Sequence, residues 1–317
     1  MNYIFASGAI GAKSTKLLGE TEYLTLLKTD KGDYFKVLRD LGYGFDHVSL
    51  YLDEVITNEL IKIKSELLAI VPDQAIIRLW YLKYDLVNIK LIIKNHLFNQ
   101  SNNLSFEKAA TININELKEA LINNNFDGVS DINQKLLRKL SDLINDSKLN
   151  SQMISFKVDQ IVYQYVKEEV KKYNDEAFLK YLEGLIDSRN LITLFRAQNI
   201  TLDTKNLEAA LIEGGKVNPK ILKDIYNLRF DEQMDVLKLY YSDFVKAALQ
   251  NYFDDGNLSK LETALNEDIL ESINNFSYDT FSSGPLINYL LKKDFEINNV
   301  RRLYFDKDIE IKDLLIY

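Results

Sequence analysis

Apolar residues recur at spacings of three and four through Leu79-Trp80-Tyr81-Leu82-Lys83-Tyr84-Asp85-Leu86-Val87-Asn88-Ile89-Lys90-Leu91-Ile92-Ile93-Lys94, the signature of a helix. Asp85 and Asn88 stand three residues apart in this stretch, so they share a helix face. The arrangement returns around Asp187 and Asn190, with Tyr181-Leu182 and Ile186 before and Leu191 and Leu194-Phe195 after. It returns again around Glu296 and Asn299, with Leu290-Leu291 and Phe295 before and Val300 and Leu303-Tyr304 after. In each copy an acid follows an apolar residue, asparagine comes three positions later, and apolar residues fall one, four and five positions beyond it. The period of roughly 100 residues is too long for a solenoid unit and suits a small domain.

The other periodic segments fit the same threefold plan. Tyr3 to Leu27 reads as a helical opening segment, and Tyr34 to Leu41 as a short amphipathic helix closed by Gly42-Tyr43-Gly44, with Gly42 suited to a left-handed cap. A long pattern from Val48 to Val71 ends at Pro72. Ile114 to Leu121 and Ile221 to Tyr226 echo the short helix of Tyr34 to Leu41. Leu136 to Ile144 and Val158 to Val170 read as helices before the second acid–asparagine element, and Met234 to Phe253 as one long helix in the last third. Polar links at Asn99 to Asn103 and Thr201 to Asn206 divide the chain into three similar domains, 1–103, 104–206 and 207–317. The expected class is all-α.

Composition agrees with that class. Glycine (12) and proline (3) are scarce, while 46% of the 317 residues are hydrophobic, enough for ordinary cores. A net charge of −8 disfavours a nucleic-acid surface, which needs a basic patch to release counterions. With no cysteine, disulfides and cysteine-based metal or redox chemistry are out. The sequence has neither the basic-then-apolar start of a signal peptide nor a run approaching the roughly 20 apolar residues of a spanning helix. A soluble cytoplasmic protein is the expectation, with any membrane association made through a partner.

Each candidate for chemistry has a plainer reading. Gly8-Ala9-Ile10-Gly11-Ala12-Lys13-Ser14-Thr15 has two residues between its glycines where a phosphate loop needs four, and Ala12 intervenes before Lys13, so a helix whose small residues permit close packing is preferred. Asp254-Asp255-Gly256-Asn257 lacks the alternating oxygen ligands of a calcium loop and reads as a surface turn. His47 and His96 have no carboxylate or cysteine at ligand spacing and read as partly exposed residues at element ends, although either could in principle serve as a general base, and Trp80 sits on an apolar helix face as a core or interface aromatic. The pairs Asp85/Asn88, Asp187/Asn190 and Glu296/Asn299 could be read as catalytic carboxylates, yet each belongs to a different domain at core spacing. A structural role follows: the acid accepts from backbone or from a basic side chain, with Lys94 and Arg196 as candidates, while asparagine satisfies a second buried group. No cofactor and no metal are expected.

With these residues in view, the chain resembles the C subunits of the bacterial and archaeal V/A-type rotary ATPases, related to the d subunit of the eukaryotic vacuolar enzyme. The resemblance rests on Tyr3 to Leu18 (with Ala12-Lys13 where that family often has arginine), Val37 to Gly44, and Tyr84-Asp85-Leu86-Val87-Asn88-Ile89-Lys90. It continues through Asp187-Ser188-Arg189-Asn190-Leu191 with Leu194-Phe195-Arg196-Ala197, and through Gly214-Gly215. It ends with Gly284 to Lys293 and Glu296-Ile297-Asn298-Asn299-Val300-Arg301. What the resemblance implies is a non-catalytic rotor part, three helical domains in a pseudo-threefold funnel. Such a part sits peripherally on the cytoplasmic face, receives the central shaft and rests on the proteolipid ring, and so transmits torque for proton or sodium transport. Tyr84, Asp85, Asn88, Asp187, Asn190, Arg196, Glu296, Asn299 and Arg301 would be its structural motif. Two other readings stay open on pattern alone, a free helical scaffold working away from membranes and an all-helical enzyme.

Overall fold

A computed structural model of the protein describes residues 3–44, 51–98, 107–145 and 150–316, and regular structure among them is entirely helical. The first third holds α1 (Ile4–Ser14), α2 (Glu20–Lys28), α3 (Tyr34–Asp40), α4 (Leu52–Ile70) and α5 (Gln74–Phe98). The middle third holds α6 (Ile114–Asn123), α7 (Asp131–Ser141) with a 3-10 turn at Asp142–Asn145, α8 (Ser151–Lys172) and α9 (Glu176–Asn199). The last third holds α10 (Thr204–Ala210), α11 (Pro219–Ile225), α12 (Phe230–Leu237), α13 (Asp243–Asp255), α14 (Leu258–Asn274) and α15 (Gly284–Phe305). Among the described residues no helix is long and apolar enough to cross a membrane.

The abundance of asparagine has a local cause. Asn113, Asn150, Asn218 and Asn257 each stand just before a helix, and their side-chain oxygens accept the first unpaired backbone N–H groups of α6, α8, α11 and α14. At helix ends, Gly42 (φ 85°) and Gly256 (φ 70°) take the left-handed conformation that stops the helix. Asp254 to Asn257 is thus the junction between α13 and α14, as a surface turn requires.

Cap chemistry also divides two segments that apolar periodicity joins. Tyr3 to Leu27 breaks at Gly19, whose backbone N–H donates to Glu22 Oε2 at 2.9 Å and so begins α2. Met234 to Phe253 breaks between Leu237 and Asp243, because extended Ser242 accepts the Val245 N–H on its own hydroxyl at 3.3 Å. The Val48 start of the long helix, His47 and the Asn99 to Asn103 link lie outside the described residues.

The chain forms two compact units, one of Met1–Ile77, Asp175–Tyr181 and Tyr241–Tyr317, the other of Arg78–Asn174 and Leu182–Tyr240. Two of the four divisions fall inside α5 and α9; the others fall just before α9 and between α12 and α13. In the first unit α1 packs on α4 and α15, and the α13–α14 hairpin packs on α15. Tyr34 is fully buried there and its hydroxyl donates to the Val300 carbonyl at 2.8 Å, tying the start of α3 to α15. In the second unit α6 and α7 pack together, and α7 and α10 lie on α8. Gln160 of α8 donates to the Ala209 and Leu211 carbonyls at 3.1 and 2.8 Å, and Tyr163, Ile186 and Ile212 form an apolar cluster beside it.

Gly284 opens α15 because the backbone of Phe276 passes too close for a side chain: a Cβ there would stand 2.2 Å from the Phe276 carbonyl oxygen. Backbone cannot yield as a flexible side chain does, so Gly284→Ala is expected to lower stability by about 2–4 kcal/mol in a thermal or urea melt.

Candidate functional site

The three acid–asparagine pairs lie on α5, α9 and α15, and all six side chains are buried. Burying a carboxylate is costly unless donors replace its water, and here backbone amides do so. Asp85 accepts from the Ile112 N–H at 2.8 Å and from both the N–H and the hydroxyl of Thr111, at 2.9 and 2.8 Å. Asp187 accepts from the Val217 and Lys216 N–H groups, each at 3.0 Å. Glu296 accepts from the Leu18 N–H at 2.7 Å. Ile112, Val217 and Leu18 share one structural position, the residue immediately before the cap of a short helix, respectively Asn113 of α6, Asn218 of α11 and Gly19 of α2.

The asparagines hold a second strand of the same connection. Asn88 exchanges two hydrogen bonds with the backbone of Glu107, at 2.8 and 2.9 Å. Asn190 makes the same exchange with Ile212, at 2.8 and 2.7 Å. Asn299 donates to the Leu315 carbonyl at 2.7 Å. Each acid–asparagine pair is therefore a latch that fastens a long helix to the chain segment entering a short one.

In the first two latches that segment follows its long helix in sequence. In the third it comes from both chain ends, Leu315 and Leu18. This register makes α2, not the Tyr34 to Leu41 helix, the counterpart of α6 and α11. The inward positions agree: Tyr23, Leu117 and Leu222 all stand four residues beyond their caps and are fully buried. Periodicity alone aligned the wrong short helix, because the cap residue differs (Gly19 against asparagine) and its partner helix lies at the far end of the chain.

The third latch differs in its electrostatics. Lys293 lies between two carboxylates, 2.7 Å from Glu59 and 2.5 Å from Glu296, with its ammonium 4.6 Å from the centre of the Tyr43 ring. Glu59 in turn accepts the Gly44 N–H at 2.6 Å. Burial alone would lower the Lys293 value, but Glu296 and Glu59 outweigh it and hold the ammonium well above its usual range. A raised lysine contributes stability below its unfolded value of 10.5 and loses it only as pH climbs through the folded one, so this pairing is complete at neutral pH. Among the described residues no buried lysine stands against Asp187 in this way. Burial raises its carboxyl above the usual range, and the Val217 and Lys216 N–H groups only partly offset this. Its ionisation costs stability at neutral pH, a cost relieved as pH falls.

The basic partners expected from sequence stand elsewhere. Lys94 is lowered by burial and by Lys90, and held up by Asp159 of α8, so its charged neighbours are these rather than Asp85. Arg196 points to solvent. Arg301 is half-exposed, with Asp53 at 3.7 Å. Tyr84 is half-buried against Tyr81, ring centres 5.4 Å apart. Trp80 is buried with Lys83 over its ring, and His96 is exposed near the end of α5. The acids are thus committed as acceptors to backbone donors, an arrangement that fixes loops rather than one that presents a reactive group. Lys293 and Glu59 were missed by sequence reasoning; the signal available was a lysine three residues before Glu296 on an otherwise apolar face.

The described residues thus carry one latch three times on an all-helical frame. Residues 6–305 match the ATP synthase (C/AC39) subunit family, and the chain belongs to that family. It is 24% identical over 343 residues to the A-type ATP synthase C subunit of Methanococcoides burtonii, covering 99% of this chain and 93% of the relative. It is 22% identical over 346 residues to the protein of that name from Methanosarcina acetivorans, covering 99% and 91%. A shorter match to the Desulfurococcus protein of that name has 27% identity over 139 residues, 42% of this chain and 37% of the relative.

Two substitutions test the latches. A Cβ on Gly215 would stand 2.0 Å from Asp187 Oδ1, so Gly215→Ala must expel the carboxylate; a loss of about 2–4 kcal/mol in a urea melt is expected. Lys293→Met leaves Glu59 and Glu296 buried without their cation and is expected to cost about 3–5 kcal/mol. Adding Glu59→Gln and Glu296→Gln should restore much of that loss; a triple variant as weak as the single would show that the ion pairing is not its source.

Proposed function

We propose that this chain serves as the C subunit of an A-type ATP synthase, a non-catalytic rotor part that joins the central shaft to the proteolipid ring and transmits torque between them. The observation that carries this reading is the correspondence over 99% of the chain with relatives that bear the name of that C subunit. The physical character of the molecule supports it. A coupling part must resist twisting, and the latches stiffen the chain where helical proteins ordinarily yield, in the segments between helices. On this reading the three domains are 1–103, 104–206 and 207–317, in a pseudo-threefold funnel, and the latch residues serve stiffness rather than catalysis. The protein acts at the cytoplasmic face, held to the membrane through the ring.

The test is affinity purification of a tagged copy from detergent-solubilised membranes of the native host, with mass spectrometry of the proteins retained. Shaft, nucleotide-binding and proteolipid subunits are expected to co-purify, with recovery falling as salt is raised. A chain recovered without them, from cells that make the ATPase, would contradict the rotor reading and favour a free scaffold.

A further inference from the structure

α1 turns Ala6, Ser7 and Ile10 inward, and packs on α4 and α15. Its outward positions are Ile4, Phe5, Gly8, Gly11 and Ala12, all exposed and none charged, in a chain with 27% charged residues; exposed Lys16 follows the helix end. Phe5 is 74% exposed. Exposed glycine in a helix is destabilising relative to alanine, and close internal packing often accounts for it. Neither Gly8 nor Gly11 has that reason, because a Cβ on either would meet nothing within 4 Å. Among the described residues, the close packing expected of these small residues from sequence is therefore not made at Gly8 or Gly11.

The same surface continues in aromatic residues. The Ser7 hydroxyl donates to the Thr280 carbonyl at 3.2 Å, which brings the 278–281 segment beside the first turns of α1. Tyr278 is 89% and Phe281 70% exposed. At roughly 200 Å² per ring, these two and Phe5 expose on the order of 400 Å², as much as the largest apolar patch on a typical monomer.

Beside the N-terminal end of α1 the rim of this surface is acidic. Tyr3, just ahead of α1, lies in the field of Asp73 and Asp175, and Asp175 is hydrogen-bonded to Ser283 at the start of α15. Exposed Glu176 follows Asp175, and exposed Asp279 lies between the aromatic residues. An acidic rim repels the anionic headgroups that draw amphipathic surfaces to membranes, and it attracts a protein surface with basic side chains beside an apolar stripe.

We propose that the outer face of α1, continued by Tyr278 and Phe281, seats an α-helix of a partner protein, packed closely over Gly8, Gly11 and Ala12 with its basic side chains toward Asp73, Glu176 and Asp279. The partner belongs to the same ATPase, so the inference rests on the function proposed above. Glycines with no internal use fit a neighbouring helix backbone that approaches more closely than larger residues allow.

The experiment compares the tagged full-length chain with Gly8→Leu/Gly11→Leu and with Glu176→Lys/Asp279→Lys, each expressed in the native host and purified from solubilised membranes. The leucine variant is expected to melt no lower than the parent; the lysine variant should melt slightly lower, because Glu176 lies in the first turn of α9 and Asp279 accepts the Phe281 N–H. Both should recover at least one identified component of the ATPase about tenfold less well. Recovery equal to the parent's would overturn the docking face while leaving the proposed function intact. A parent that recovers no component of the ATPase would overturn the function reading, and this partner with it. Vesicles containing phosphatidylserine supply a further arm: no binding by the parent supports a protein partner, whereas binding that the leucine variant loses would overturn it in favour of a lipid surface.

Discussion

The structure depends on how a helical protein satisfies the backbone groups that its helices leave over. The segment entering a short helix carries N–H groups with no helical partner, and once buried they must find acceptors. Here the acceptor is a carboxylate from a neighbouring long helix, and the need is mutual: the carboxylate would be intolerable in that interior without those donors. Asp85 with Ile112, Asp187 with Val217 and Glu296 with Leu18 are one solution used three times. Because acid and amide are each costly without the other, the joint is sensitive to small displacement, which suits a position where the chain must not flex.

The third latch shows what closing such a repeat requires. Its backbone partners come from the two chain ends, the Leu18 N–H as donor and the Leu315 carbonyl as acceptor, so it cannot form until residues 278 positions apart have met. Here a buried lysine, Lys293, stands between the latch acid and a second carboxylate, Glu59 of α4. Lys293 ties α4 to α15, and the Tyr34 hydroxyl and the Lys307 ammonium add further bonds between the N-terminal helices and the end of the chain. Ion pairing and extra side-chain bonds thus accompany the joint where chain connectivity gives no help.

Much of this was legible in the sequence. The all-α class followed from apolar period and scarce glycine and proline, and the acid–asparagine pairs were visible as buried polar residues at fixed spacing on apolar faces. Helix limits were less so. Ser242 and Gly19 end continuous apolar patterns through cap hydrogen bonds, which periodicity does not register. The partners of the latch acids were illegible for a different reason. A backbone N–H carries no residue signature, so Thr111, Lys216 and Leu18 could not be picked out by type, whereas Lys94 and Arg196 attracted notice only because they are charged. The third counterpart of the short helices was hidden by its place at the start of the chain, far from Glu296.

The most direct test of this account is amide hydrogen exchange at Ile112, Val217 and Leu18 in the intact protein. All three lie outside helices, and loop amides ordinarily exchange through small local openings. If the carboxylate joints organise the fold, these amides should exchange as slowly as those in the middle of α5, α9 and α15, and should open only with them. Exchange at the rate of an open loop at any of the three would show that latch to be incidental, and the account of the chain as three equivalent fastened joints would not stand.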